Sequence, residues 1–374
     1  MILSQSDIRN FVKGKERCDM KKDEISTLKV AATYIGTIVG AGFATGQEVL
    51  QFFARFGIRG LYGLILTTLL FIIFGYIIMI IGNQLDASSH LEIIRYAGGK
   101  FIGTLIDIII LFFLFGALTA MIAGSGALFE QQFNLSSLVG NILMAVITAL
   151  TVLTGISGVI NSISIIVPFL LVSVAGISIY SIMNAPPNIV VSNAIVNENG
   201  LITNWVMAAI LYISYNTVLS IAVLGPLGAQ AKNKKSILYG SILGGLGLGI
   251  GSIMIYLALF GDIAKVAKLE VPMIFIAGSI SGIVQIIYAV VLIAEVYTTA
   301  VGSLYGFIAR IVDVKEHPKK GRLIVLIVTV VAFLASQFGF TNLVQYLYPM
   351  VGYGGIVLLI CLVYSFFRST KSRA

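Results

Sequence analysis

Long apolar stretches alternate with short polar segments along the chain after about residue 27. A helix needs about 20 apolar residues to cross a bilayer core of roughly 30 Å. The stretches lack the period-two alternation of barrel strands, so they predict helices. We place about ten spanning helices at approximately 28–53, 58–82, 101–129, 137–154, 159–183, 203–225, 236–260, 280–309, 322–340 and 342–366.

Composition agrees with a chain whose main solvent is lipid. Of its 374 residues, 58% are hydrophobic and 11% are charged, whereas a soluble domain carries about 25% charged residues. The fold class predicted is therefore an all-α integral membrane protein. The first 26 residues are polar and basic, and we expect no cleaved signal peptide there. Cys18 and Cys361 follow no metal-ligand spacing.

The positions of the basic residues predict the orientation of the chain. Cytoplasmic segments of a membrane protein carry an excess of Lys and Arg. With both termini in the cytoplasm, twenty of the 24 Lys and Arg residues fall on that side or at the base of the first span. The other four are Arg55, Arg59, Lys265 and Lys268. The net charge of +8 is thus a topology signal in a bacterial-type plasma membrane, and we expect no nucleic-acid partner.

The spans divide into two groups of five. We assign 1–27 to a cytoplasmic tail, 28–183 to a first repeat, 184–202 to an extracellular loop, 203–366 to a second repeat and 367–374 to a second tail. Because five is odd, two equivalent halves must insert with opposite orientation. This 5+5 inverted repeat is the plan of many secondary transporters.

The first span contains the run IGTIVGAGFATGQEVLQFF (35–53), in which four glycines precede a carboxylate, Glu48. Glycine costs a helix interior roughly 1 kcal/mol relative to alanine, so the run is consistent with an unwound middle. It is equally consistent with close helix packing, because its glycines fit GxxxG spacing. The lack of one clean glycine face and the nearby acid favour a break.

The sixth span, ILYISYNTVLSIAVLGPLG (210–228), places Ser214, Asn216 and Thr217 at membrane depth. Polar groups there are costly unless they face a cavity or a partner helix. A pair of interrupted spans in corresponding positions of two halves indicates a substrate site. We therefore predict that helices 1 and 6 are both broken and that these three residues contact the substrate.

The run 35–53, the ten spans and the predicted breaks resemble the YkvI-like family of amino-acid permeases. That family belongs to the amino acid–polyamine–organocation superfamily, which has the leucine-transporter fold. The resemblance extends from about residue 28 to the end of the spans. It implies an ion-coupled transporter whose broken helices 1 and 6 hold a small amino acid or similar zwitterion.

The resemblance also implies particular ligands. The amides of Ala41, Gly42 and Phe43, which follow Gly40, would meet a substrate carboxylate. A sodium ion, the only expected cofactor, would be held by five oxygens. These are the carbonyls of Gly36, Val39 and Glu295 and the hydroxyls of Thr298 and Thr299. The alternative interpretation is that the two threonines bond to their own helix, as hydroxyls in lipid commonly do.

Two acids at membrane depth are functional candidates in their own right. Glu295 precedes Thr298 and Thr299 by three and four residues, so all three share a helical face. It would strengthen a cation site or carry a coupling proton. Glu48 would bind a substrate amine, gate the site, or bond to backbone freed by the break. Sodium and proton coupling both stay open.

Other classes of protein fit less well. Residues 155–158 read GISG, as in some intramembrane proteases, but the histidines, His90 and His317, fall in predicted loops. We therefore expect no enzyme. A membrane sensor or a channel on the same fold is the alternative function. The expected partners are a small-molecule substrate and the lipid bilayer.

Overall fold

The structure is a computed structural model that describes residues 25–87, 89–154, 157–189, 201–312 and 318–371. Within these ranges the chain is helical apart from its connecting turns, which confirms the all-α prediction. An isolated bridge joins Ile25 to Ala231, where Ile25 N donates to Gln230 O (3.1 Å) and Lys232 N donates to Ile25 O (3.2 Å). Residues 1–24, 190–200 and 372–374 lie outside the described ranges, so the predicted tails and extracellular loop stay predictions.

The helices of the first half follow the predicted spans closely. They are α1 (Thr27–Ile38), α2 (Ala41–Ala44), α3 (Gln47–Phe52), a 3-10 turn (Ala54–Phe56), α4 (Ile58–Leu85), α5 (His90–Phe133), α6 (Ser137–Thr154) and α7 (Ser157–Asn184). Helix α5 starts earlier than predicted, and its backbone leaves the helical region at Gly99 (φ 69°). Glycine reaches this positive φ without steric cost.

The second half has the same alternation of long helices and short connections. Its helices are α8 (Trp205–Gln230), α9 (Lys234–Leu259), α10 (Ile263–Val266), α11 (Pro272–Ile280), α12 (Gly282–Ile311), α13 (Pro318–Ser336), α14 (Phe340–Asn342), a π-helical turn (Leu343–Leu347) and α15 (Tyr348–Lys371).

Among the described residues, six helices are long and apolar enough to cross a membrane. They begin at Ile58, His90, Trp205, Lys234, Gly282 and Phe340, and the last of them combines α14, the π-helical turn and α15 up to Arg368. The first predicted span is not among the six because it is divided into three helices, α1, α2 and α3, each too short to cross a membrane. Helix α13 is not among the six because three charged residues, Lys319, Lys320 and Arg322, lie in its first turns. The count of ten and the 5+5 repeat therefore stay predictions.

The first span is broken, as predicted. Helix α1 ends at Ile38, and both Val39 (ψ 104°) and Gly40 (φ −123°, ψ −173°) are extended. Helix α2 then runs for only 4 residues before Gly46, whose φ of 81° again requires glycine. The glycine run therefore unwinds the backbone at two places.

The predicted break in helix 6 is wrong. Helix α8 runs without interruption over Trp205–Gln230, and Pro226 lies inside it. Its polar residues find partners without unwinding, because Asn216 Nδ2 donates to Tyr212 O (2.9 Å) and Ser214 Oγ donates to Gly352 O (2.6 Å). Polar residues at membrane depth can therefore be satisfied by neighbouring carbonyl groups, and they do not by themselves indicate an unwound helix.

Glycines bring the long helices into close contact. A Cβ added at Gly82 would lie 2.1 Å from Gly225 O, and one at Gly228 would lie 2.0 Å from Met79 O, so α4 and α8 touch backbone to backbone. On α9, a Cβ at Gly244 would lie 2.5 Å from the ring of Tyr34 in α1. Small residues permit this close helix packing in membranes.

We call residues 262–280, which contain α10 and α11, the lid segment, and the end of the bundle where they lie the outer side. Its two helices are short, with 4 residues in α10 and 9 in α11. The segment packs on the broken span: Met273 N donates to Thr45 O (3.0 Å), and Tyr288 OH, from α12, donates to Ala44 O (2.5 Å).

Two further contacts tie the lid segment to its surroundings. Gln131, near the end of α5, bonds both backbone groups of Val271, with Nε2 donating to O (2.8 Å) and N donating to Oε1 (3.1 Å). Glu270 accepts from the backbone amides of Phe340 and Thr341 at the start of α14. Hydrogen bonds therefore join the lid segment to the broken span at Thr45, to α5 and to α14.

Candidate functional site

A cavity of about 740 Å³ lies at the break in the first span, between α1, α5, α8 and α12. Most of the residues predicted to form the substrate and ion sites line it together. They are Gly36, Val39, Gly40, Ala41, Gly42, Glu48, Asn216, Glu295, Thr298 and Thr299. Residues 250 positions apart in sequence thus meet around one space of a size suited to a small molecule.

Three predicted residues do not line this cavity. The Phe43 ring is buried and packs toward α9, where a Cβ added at Gly251 would lie 3.2 Å from its Cζ. Ser214 is bonded to Gly352 of α15, and Thr217 is buried. The face of α8 toward the cavity instead carries Tyr215, Asn216, Leu219 and Val223, which share one side of a regular helix.

Glu48 lies at the centre of the broken span. Its Oε2 accepts hydrogen bonds from Tyr212 OH (3.1 Å) and Tyr215 OH (2.5 Å) of α8. Its Oε1 lies so close to Gly42 that a Cβ added there would be 2.1 Å away. The carboxyl group is therefore held between α8 and the first turn of α2. Side-chain hydroxyls bind it, in place of the bond to freed backbone considered from the sequence.

The predicted sodium ligands are adjacent, and part of their hydrogen-bonding capacity is used. Thr298 Oγ1 donates to Glu295 O (3.0 Å), which is the bond to its own helix that the alternative interpretation expects. Thr299 Oγ1 is the atom nearest to a Cβ added at Gly40 (4.0 Å), so α12 faces the break directly. The last carbonyls of α1 lack following helical amides, since the helix ends at Ile38.

Glu295 is buried on the same wall, with 4% of its surface exposed. Thr299 Oγ1 lies 3.5 Å from its Oε1, and its Oε2 has no hydrogen-bond partner among the described residues. A buried carboxylate oxygen without a partner is costly unless a proton, a cation or a ligand satisfies it. Glu295 Oε2 is therefore the atom of the cavity lining that gives the strongest indication of a bound proton, cation or ligand.

In the part of the chain that the structure describes, no group of three or more His, Cys, Asp or Glu side chains has the arrangement of a metal centre. Carbonyl and hydroxyl oxygens beside one carboxylate suit a hard monovalent or divalent cation better than a soft metal. The donor set of Gly36, Val39, Glu295, Thr298 and Thr299 thus fits sodium in chemistry, and the site stays a prediction.

The sequence analysis did not identify the aromatic side of the cavity. Phe113 of α5, Tyr215 of α8 and Tyr348 of α15 all line it. Their rings touch pairwise, with centroids 6.0 Å apart for Phe113 and Tyr215, 5.6 Å for Phe113 and Tyr348, and 5.1 Å for Tyr215 and Tyr348. Aromatic residues in apolar spans usually form core, so no sequence signal marked these three.

The lining of the cavity lies away from the lid segment. It extends along α1 to Ala32 and along α8 to Val223, and no residue of the lid segment is part of it. The lid segment instead bonds to the broken span at Thr45, through Met273 N.

Comparison with solved structures defines the fold class. The chain superposes on MhsT in complex with L-phenylalanine with a TM-score of 0.60 and 18% identity, over 89% of this chain and 88% of that one. It superposes on the inward-facing conformation of Mhp1 with a TM-score of 0.56 and 14% identity, over 90% and 77%. A manganese transporter of Eremococcus coleocola gives 0.54 and 16%, over 97% and 82%. The protein has the leucine-transporter fold.

The amino-acid sequence is similar to those of two relatives along most of its length. The chain is 29% identical over 348 residues to YkvI, an uncharacterized membrane protein of Bacillus subtilis, covering 91% of this chain and 96% of YkvI. It is 28% identical over 331 residues to YyaD of the same organism, covering 88% and 94%. No family model matches the chain. The resemblance to YkvI-like proteins drawn from residues 35–53 is confirmed, and the protein is a multi-pass membrane protein.

Proposed function

We propose that this protein is an ion-coupled secondary transporter that moves a small solute, an amino acid or similar zwitterion, across the plasma membrane by alternating access. The observation that carries the proposal is the cavity at the broken span, whose lining extends along α1 and α8 away from the lid segment. With the predicted orientation, this path leads toward the cytoplasm, as an inward-facing state of such a transporter requires.

The solved structures support the same class of function. Mhp1 is a nucleobase-cation-symport-1 family transporter, and the Eremococcus coleocola protein is a manganese transporter. MhsT was solved with L-phenylalanine. A channel on the same fold would pass solute without ion-coupled accumulation, and a sensor would bind solute without accumulating it.

The coupling ion is sodium or a proton, and Glu295 is central to either choice. Sodium would use the carbonyls of Gly36 and Val39 with the hydroxyls of Thr298 and Thr299, and Glu295 would balance its charge. A proton would sit on Glu295 Oε2, for which the described part of the chain supplies no hydrogen-bond partner.

The test is uptake of an amino-acid panel into proteoliposomes under an inward sodium gradient, a potassium gradient of equal ionic strength, or a proton gradient. Saturable accumulation that collapses with the driving gradient supports the proposal. If sodium drives uptake, Thr299→Val should lower the apparent sodium affinity about tenfold. Thr104→Val is the matched control, because Thr104 bonds only to its own helix on an exposed surface. Binding of a solute without accumulation under any gradient would favour a sensor.

A further inference from the structure

The acidic and aromatic side chains that line the cavity indicate which chemical group of a substrate it binds. Resting on the transporter function proposed above, we infer that this site recognises the ammonium group of its substrate and does not require a carboxylate. Small organic amines are therefore substrates or competing ligands, alongside any amino acid that enters through its ammonium group.

The first argument is the charge of the lining. Glu48 and Glu295 contribute two carboxyl groups, and within the described ranges no Lys, Arg or His side chain lines the cavity. A bound organic cation is attracted by each acid that is ionised, whereas a bound anion meets no positively charged side chain.

The second argument is the position of Glu48. The space next to Gly42, where the sequence predicts a substrate carboxylate, is filled by Glu48 Oε1. Tyr212 and Tyr215 hold the other carboxyl oxygen, so the group is fixed there. Two carboxylates sharing one site disfavour each other's ionised form. The protein therefore supplies its own anion at the helix break.

The third argument is the aromatic side of the same space. Phe113, Tyr215 and Tyr348 form a group of touching rings on the cavity wall, and Tyr215 is also the closer donor to Glu48. Aromatic rings attract an organic ammonium through cation–π interaction, more strongly where water is excluded. A carboxylate beside an aromatic group is suited to an alkylammonium ion.

A structural role for these groups predicts a different result. If Glu48 only joined the broken span to α8 and the rings were only core, changes in them would lower stability without altering ligand preference. The test therefore compares ligands on the unchanged protein before any variant is used. It uses the purified full chain, thermal stabilisation for binding and proteoliposome uptake for transport.

The ligands form two matched sets: phenylalanine, phenethylamine and 3-phenylpropionate, and leucine, isoamylamine and 4-methylpentanoate. We expect the amines to stabilise the protein and to compete with amino-acid uptake at least as well as the parent amino acids. The acids, which lack the ammonium group, should do neither. Competition by the acids, or an amine more than tenfold weaker than its amino acid, overturns the inference while leaving the transporter function intact.

Variants then assign the preference to residues. Glu48→Gln keeps the shape and should weaken amine binding about tenfold, as expected for one charge-assisted hydrogen bond. Phe113→Leu should weaken it about threefold. The controls are Glu92→Gln, an exposed acid on α5, and Phe112→Leu, the 47% exposed neighbour of Phe113. Equal effects of variant and control overturn the assignment, as does stabilisation by Mn²⁺ or Na⁺ with none by any amine. Failure of every ligand and every gradient instead removes the transporter proposal itself.

Discussion

The two ends of the cavity are built from different kinds of contact. On the outer side, the lid segment is fixed by several hydrogen bonds, including the paired bonds from Gln131 to Val271 and the bond from Met273 to Thr45. On the opposite side, α1 borders the cavity, is joined to α8 by the backbone bonds around Ile25, and packs on α9 through Val30 and Tyr34. The same broken span contributes to both ends, so a change at the break affects access from either side.

The largest expected effect comes from filling the space at the break. In Gly42→Ala the new methyl group would overlap Glu48 Oε1 and displace the carboxyl group from Tyr212 and Tyr215. Overpacking costs about 1–3 kcal/mol, and the displaced carboxyl group adds to this. We expect a melting temperature lower by several degrees and loss of ligand-induced stabilisation.

Gly40→Ala is the matched variant for this prediction. Its φ is negative, and the nearest atom to the added methyl group is Thr299 Oγ1 at 4.0 Å. It should melt near the parent temperature. Equal destabilisation by the two variants would mean that backbone freedom, and not contact with Glu48, makes glycine necessary.

A second change opens the outer side. Gln131→Leu removes both bonds to the backbone of Val271, which costs about 2 kcal/mol. Hydrogen exchange in residues 262–280 should then be roughly thirtyfold faster, because it follows the local opening free energy. The neighbouring change Gln132→Leu removes a side chain whose buried Oε1 has no partner among the described residues. It should leave exchange in the lid segment unchanged, and faster exchange in both variants would contradict a specific role for Gln131.

A third change separates packing from binding on α8. Ser214 was predicted to contact the substrate, but its hydroxyl donates to Gly352 O of α15. Ser214→Ala should cost about 1 kcal/mol of stability and leave ligand affinity unchanged. Asn216→Ala, on the cavity face, should weaken ligand binding in the same titration. A loss of affinity in Ser214→Ala would show that the described contact is not its main role.

The smallest effect is the pH dependence of the lid segment. Burial raises the pKa of the Glu270 carboxyl above its usual 4.5, and the charge of Glu130 adds to this, while the amides of Thr341 and Phe340 lower it. A group whose pKa is raised by folding stabilises fully below its unfolded value, and that contribution is lost as pH rises through the raised value.

The lid segment should therefore be better protected at acidic pH than at neutral pH. Hydrogen exchange of residues 262–280, corrected for intrinsic rates, measures this. Glu270→Gln should remove the difference and raise protection at neutral pH. An unchanged pH dependence in Glu270→Gln would assign the effect to another group, with Glu130 and Lys268 as the nearest candidates in the same pocket.

The sequence was sufficient where local chemistry determined the outcome. Apolar length located the helices, and the glycines from Gly36 to Gly46 predicted the break between α1 and α2. The spacing of Glu295, Thr298 and Thr299 predicted their common face, which lines the cavity. Each of these inferences depends only on residues within a few turns of each other.

The sequence was insufficient where partners come from distant segments. The polar residues of α8 suggested a break, but Gly352 of α15 satisfies Ser214 and the helix stays continuous. Because it is continuous, only one of its faces reaches the cavity, and Thr217 lies off that face. The aromatic group of Phe113, Tyr215 and Tyr348 combines three helices, so no local pattern marks it.

The continuous α8 has a mechanical consequence for the broken span beside it. With 12 residues, α1 is an arm about 18 Å long, pivoting at Val39 and Gly40 next to a stiff neighbour. A swing of about 15° moves its far end by roughly 5 Å. The helix is held along its length, because Val30 and Tyr34 pack on Gly240 and Gly244 of α9 and Tyr34 OH donates to Phe71 O of α4 (2.6 Å). A swing of α1 therefore has to separate this packing as well as the two backbone bonds around Ile25.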